Sequence, residues 1–326
     1  MSVIPQDLIL YGCATPGDSD VATNIGGAID KTKLITFADI VAAFLAISED
    51  AGDTSQSITV TYRDAAGNVA TEAKSLNGQD AVNFNASPER ILKAVKSATC
   101  AGAVGIMLQT PTRTGTAQGG ASGSITLDTG ASAVDQAYRQ YVVRITGGTG
   151  ANQIRRIIDY VGSSKVATVS PAWTTPPNGT STFAVSPGLV FDKTPNEVMS
   201  IYRWFLAAIA DAPGGSARDY YDKGFYWNNH ASLYFFAAFV KEITDSLGIF
   251  DFALEAALDG TTTNGSGNGR QVAPAGLTFN SDQKDVANTG SLTHQKAQAV
   301  WGKLTLAAGA QAAKATWSIQ LQGQTI

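Results

Sequence analysis

Only two cysteines and two histidines occur among the 326 residues. Cys13 and Cys100 lie far apart, and one such pair is no disulfide framework. Both are read as small buried thiols, the usual setting of free cysteine. No C-x-x-C or H-x-x-x-H spacing is present, so a zinc or other His/Cys metal centre is excluded. Charge is also scarce. Asp, Glu, Lys and Arg make up 15% of the chain, against about 25% in an ordinary soluble domain. The net charge of −4 leaves no basic field for nucleic acid, and no basic run resembles a binding arm. Long apolar runs are missing too. "ADIVAAFLAI" and "WFLAAIA" are too short to cross a bilayer. "MSVIPQDLILYGC" lacks the basic and apolar regions of a signal peptide, so the chain is expected to be made in the cytosol.

What fills the space is Gly, Ser, Thr, Ala and Asn around short alternating apolar segments, a composition of β-rich and coat-type proteins. In "SQSITVTYRDAAGNVATEAKSLNG", Ile58, Val60 and Tyr62 alternate with polar residues, and Asp64–Asn68 turns the chain back to Val69. Asn77-Gly78 marks a second turn. "RILKAV" and "AVGIML" add two apolar segments on either side of "SATCAG". Short strands with turns at this spacing predict an immunoglobulin-like sandwich over 34–112.

The Gly/Thr/Ser-rich stretch Thr112–Gly123 reads as a boundary. A small all-β, barrel-like module is expected over 113–186, inserted between flanking parts of the chain. Within it, "GGTGANQIRRIIDY" looks at first like a phosphate loop. A phosphate loop must open a helix and end in Gly-Lys-Ser/Thr. Here β-branched residues follow, so a hairpin turn is predicted. Arg155 and Arg156 then point to opposite faces of one strand. From 187 to 326 the chain reads as a second sandwich. Leu233, Phe235, Ala237 and Phe239 are placed on one face of a strand, and Phe250, Phe252, Leu254 and Ala256 on one face of the next. "TPNEVMSIYRWFLAAIADAP" has mixed periodicity and fits a strand or a short helix. Residues 1–33 show no alternation long enough for a core. They read as an N-terminal arm whose deletion to Ile29 leaves the melting temperature nearly unchanged.

The search for chemistry is short. No nucleophile context surrounds His230 or His294, so neither completes a triad. "DGTTTNGSGNGR" lacks the alternating acids and distal Glu of an EF-hand loop, leaving only main-chain carbonyls for a surface Ca²⁺. Asp219 with Asp222, and Glu242 with Asp245, are the paired carboxylates a glycosidase would need. Tyr220, Tyr221, Tyr226 and Trp227 could form a sugar platform, or serve as core or interface anchors. No catalytic, cofactor or metal residue is assigned, and no enzyme activity is expected.

A resemblance adds to this. Gly115–Val185 runs through "AVDQAYRQYVVRITGGTGANQIRRIIDY" and then "KVATVSPAWTTPPNGTSTFAV". It resembles a small β-domain recurrent in tailed-bacteriophage virion proteins and covers about a fifth of the chain. "SQSITVTYRDAAGNVATEAKSLNG" resembles a phage structural β-module. So does "DYYDKGFYWNNHASLYFFAAFVK" together with "LTHQKAQAVWGKLTLAAGAQA". The resemblance implies a virion structural protein, a capsid decoration or neck component, whose partners are other virion proteins (major capsid, portal, neck or tail) and further copies of itself. From the charge and the short apolar runs, no nucleic-acid or membrane partner is expected. The alternative is a tail-fibre or baseplate protein binding a host-surface glycan, with a polysaccharide hydrolase behind it.

Overall fold

A computed structural model describes residues 3, 7–17, 24–35, 37–191, 193, 200–205, 216–265, 269–309 and 316–324. The protein is all-β, with 52% of residues in strands and 1% helical. The chain divides into two compact units, Met1–Ile35 with Tyr202–Ile326, and Thr36–Ile201. The strands are β1 (Leu8–Thr15), β2 (Gly26–Leu34), β3 (Phe44–Ser48), β4 (Ser57–Arg63), β5 (Val69–Ser75), β6 (Val82–Asn83), β7 (Arg90–Lys96) and β8 (Val104–Leu108). Then follow β9 (Arg113–Thr116), β10 (Gly119–Ala121), β11 (Ser124–Thr126), β12 (Tyr141–Gly147), β13 (Ile154–Val161), β14 (Val166–Ser170), β15 (Thr182–Phe191) and β16 (Ser200–Tyr202). The last are β17 (Arg218–Asn228), β18 (Phe235–Asp245), β19 (Phe250–Leu258), β20 (Lys284–Asp285), β21 (Ser291–Leu292), β22 (Ala297–Leu306) and β23 (Trp317–Gln324).

Within Thr36–Ile201 the predicted hairpin forms. β4 and β5 pair from Ser57↔Ser75 to Arg63↔Val69. Asp64 Oδ1 accepts the amides of Ala66 and Asn68, and Gly67 takes φ +91° to close the turn. β7 pairs with the other side of β4, burying Ile58, Val60, Ile91 and Ala94. The second sheet runs β10-β11-β14-β13-β12-β15-β8-β3-β6, with β9 also on β15. The glycine stretch is the β12–β13 hairpin, with Gly148, Gly150 and Asn152 at positive φ.

Two expectations change here. First, no boundary falls at 186. β15 pairs with β12 and β9 through its first half and with β8 through Gly188–Phe191. One core accordingly joins Ile47 and Met107 to Val142, Ile154 and Ala184. Second, the middle module is not a closed barrel. The chain turns a corner between β9 and β10, where the Ala117 amide bonds Ser181 and the next amide, Gln118, bonds Thr126. The ladder breaks at that corner while the chain still encloses Ile125, Val143, Ile157, Tyr160, Trp173 and Phe183.

The other unit is a sandwich. One sheet runs β19-β22-β17-β1-β2, and the other is β18 flanked by β20, β21 and β23. Tyr220, Tyr226, Phe250 and Val300 of the first sheet meet Val240, Trp317 and Ile319 of the second. Trp317 stacks on Phe250 at 4.0 Å. Trp204 lies flat beside Gly224 and Gly302, where a Cβ would come within 2.8 Å and 2.7 Å of the indole. Glycine is therefore required at both positions. The alternation predicted for 233–239 breaks at Ala237, which sits at φ +43° and is exposed, so that Ala238 and Val240 turn inward instead. In β19 the face flips after Phe252: Ala253 and Glu255 are buried and Ala256 is exposed. The flip at Ala237 coincides with a register shift in the ladder, between Phe236 and Phe239. Of "TPNEVMSIYRWFLAAIADAP", residues 194–199 and 206–213 lie outside the described residues; β16 occupies Ser200–Tyr202.

The arm is likewise reassigned. β1 lies between β17 and β2, pairing Leu8–Gly12 with Gly224–Asn228. Cys13 is fully buried against Phe225, Trp227, Ala297 and Ala299. A strand covered by its neighbours needs less visible alternation than an isolated one, which is why the sequence looked featureless. Deleting residues up to Ile29 is expected to lower the melting temperature of this unit by roughly 10 °C or more. A melt unchanged in calorimetry would restore the arm.

Candidate functional site

The residues weighed for chemistry are built into turns and cores. His230 Nδ1 accepts the amides of Ser232 and Leu233 at 3.1 and 2.9 Å, holding the loop after β17. His294 stacks on Tyr234 with ring centroids 5.4 Å apart. Asp219 accepts the Thr305 hydroxyl at 2.7 Å, and Asp245 accepts the Phe250 amide at 2.8 Å. Glu242 is held above the usual carboxylate range by burial and by Asp245 and Asp251. Burial pushes the Cys13 thiol up to about 12 and the Cys100 thiol up to about 11, so neither is a thiolate nucleophile near neutral pH. No group of three His, Cys, Asp or Glu side chains able to hold a metal occurs among the described residues. Tyr220, Tyr221, Tyr226 and Trp227 are all buried, and the Lys31 ammonium covers the Trp227 ring at 3.2 Å. They are core anchors and offer no platform.

The ionic groups the sequence did not single out are the ones that organise the molecule. Lys223 in β17 is fully buried. Its ammonium donates to the carbonyls of Gly27 at 2.8 Å and of Gly260 and Thr262 at 3.0 Å, and pairs with Glu255 at 2.5 Å. Glu255 also accepts Trp301 Nε1–H at 2.8 Å. The Lys223 amine is therefore surrounded by acceptors, as a buried cation must be. Asn264 continues the loop: it accepts the Ile25 amide at 2.7 Å and donates to the carbonyls of Gly269 and Val272. This use of carbonyls and side chains is structural, and it occupies part of the loop considered for Ca²⁺. Next to Lys223, Asp222 is enclosed and accepts the amides of Gly17, Phe205 and Lys223. Burial pushes its carboxyl up to about 7 against the pull of those amides and of Arg270.

Thr36–Ile201 has its own knot. Arg155 is buried, stacks on Trp173 and donates to the Ala172 carbonyl at 3.0 Å. It pairs with Glu49, which also accepts the amides of Ile154 and Ala103. Of the basic pair in the glycine hairpin, Arg155 is thus a clamp between the turn after β3 and β13, while Arg156 is half-buried.

Exposed instead are large apolar side chains, among them Val41, Val69, Val134, Ile243, Leu247 and Val272, together with Tyr234. Sheet edges are open as well. Among the described residues, β5 pairs only with β4, and β10 only with β11. No protein-family model, curated protein or solved structure matches the chain.

Two outcomes follow for the buried ions. Glu255→Ala leaves the Lys223 ammonium without its counter-ion and should cost about 3–5 kcal/mol in denaturant unfolding. A loss below about 1 kcal/mol would mean the pair is not enclosed. For Asp222 the folded carboxyl lies above its unfolded value. Its contribution is therefore fully present below the unfolded pKa and is lost as pH rises toward about 7. Asp222→Asn should flatten the stability profile between about pH 4 and pH 7 relative to the parent chain. Parallel profiles would show that Asp222 is solvated.

Proposed function

We propose that the protein is a structural component of a tailed-phage virion, an exterior capsid decoration or neck protein that works through repeated protein–protein interfaces. The carrying observation is where its chemistry lies. The strongest ionic groups are consumed inside the two units, while apolar side chains and open strand edges face outward. Interfaces between repeated copies use such surfaces, depleted in charge and anchored by apolar contacts. The resemblance of Gly115–Val185 to phage virion β-domains supports the same address. Asp219, Asp222 and Asp245 are engaged with backbone amides, a hydroxyl and a lysine, so neither pair has both carboxylates unengaged, which argues against a hydrolase.

One observation favours a second reading. Tyr234 is exposed, stacked on His294 and in edge contact with Phe236. A sugar ring could lie on that face, which would make the chain a glycan-binding tail component.

The two readings separate on particles. In a lysate of the cells that make it, the protein is expected to band with DNA-filled particles in a density gradient and to stay there through high-salt washing. Recovery only in the soluble fraction would contradict the structural role. Loss of adsorption to host cells in a Tyr234→Ala particle of normal composition would favour the glycan reading.

A further inference from the structure

The open edge of β5 carries its own instructions. Leu76 N–H bonds Gln56 O and Asp64 N–H bonds Asn68 O, on the same register as the β4–β5 ladder. The residues of β5 that bond β4 are therefore Ala70, Glu72 and Lys74, since bonded pairs alternate along an antiparallel ladder. On the far side of β4 the same alternation holds, where Ser97 N–H bonds Ser57 O and Glu89 N–H bonds Arg63 O. Val69, Thr71, Ala73 and Ser75 thus point their amides and carbonyls away from β4. Among the described residues no backbone group meets them. Their side chains carry no charge, and Val69, Thr71, Ala73 and Ser75 are exposed.

The charges of β5 lie on its other face. Glu72 and Lys74 pair with each other at 3.1 Å, and Glu72 also accepts the amides of Asn85 and Ala86. An edge usually avoids pairing by means of charges. Here one charge of each sign, two residues apart, does something more selective. A second β5 strand can add antiparallel only where outward-pointing residues face outward-pointing residues. A two-fold axis at Glu72 would set Glu72 against Glu72, and one at Lys74 would set Lys74 against itself; both arrangements are repulsive. An axis at Ala73 sets Glu72 against Lys74 of the second copy, twice. It also mates Ala73 with Ala73 and Thr71 with Ser75 in about six backbone hydrogen bonds. Glu72 and Lys74 then fall at the non-bonded positions, where opposed side chains are closest.

We infer that β5 is a homophilic edge: two copies of the chain join antiparallel about Ala73, so that the sheet ending in β7-β4-β5 continues into that of the second copy. The inference rests on the reading of the protein as an interface-forming component, and it names one of those interfaces. Self-complementary contact about a two-fold is the commonest way in which soluble chains associate.

The full chain in solution tests it by sedimentation velocity. The expected species is a dimer. Ala73→Pro removes an outward amide without touching the β4 ladder, a place where an edge strand tolerates proline, and should give a monomer with an unchanged melt. Lys74→Glu and Glu72→Lys should each raise the dimer dissociation constant at least about tenfold. Mixed together they should recover a heterodimer, because every opposed pair is then Glu against Lys. A parent chain that stays monomeric at all concentrations overturns the edge assignment, while banding with particles would still uphold the virion reading. A dimer indifferent to Ala73→Pro and to Lys74→Glu also overturns it and puts self-association elsewhere.

Discussion

The ammonium of Lys223 is the constraint on which one unit is built. It stands on β17, between β22 and β1 and out of water, and cannot be left there without partners. Three carbonyls and one carboxylate supply them, drawn from β2, β19 and the loop after β19. Segments distant in sequence are thereby held to one point, and Trp301 joins through the same carboxylate. Hydrophobic burial around Tyr220, Phe250 and Trp317 supplies most of the driving force, but it is non-directional. The ion pair and its carbonyl cage select the loop path.

Arg155 plays the corresponding part within Thr36–Ile201. An apolar side chain at that position could pack against Trp173, but it could not also fix the turn at Glu49 and the Ala172 carbonyl. Low overall charge and buried ions are two sides of one pattern. With few charges in the chain, several of them, among them Lys223, Glu255 and Arg155, are placed inside the two units.

Much of the fold was legible in the sequence because strand period and turn chemistry are local. Ile58, Val60 and Tyr62, the Asp64–Asn68 turn and the Gly148/Gly150 hairpin all follow from residues within a few positions of one another. What was not legible depends on partners far away. β1 shows little alternation because neither of its faces is open to water: Leu8–Tyr11 are half-buried and Gly12 and Cys13 are buried. The face change at Ala237 comes from a bulge, which shifts register without a compositional mark. The continuity of β15 across the expected boundary at 186 is hidden because Pro187 and Gly188 look like a break. Gly188 is there because a Cβ would meet the Ile106 carbonyl at 2.2 Å. The open edge of β5 was not legible either, because an edge is defined by which strand is missing beside it.

A density map of the intact particle tests the central claim most directly. If the account holds, the two β units will appear in symmetric copies on the outside of the shell or around the neck, each touching its neighbours through exposed apolar side chains and strand edges. A map in which every density is filled by other chains, with this protein absent from the particle, would contradict it.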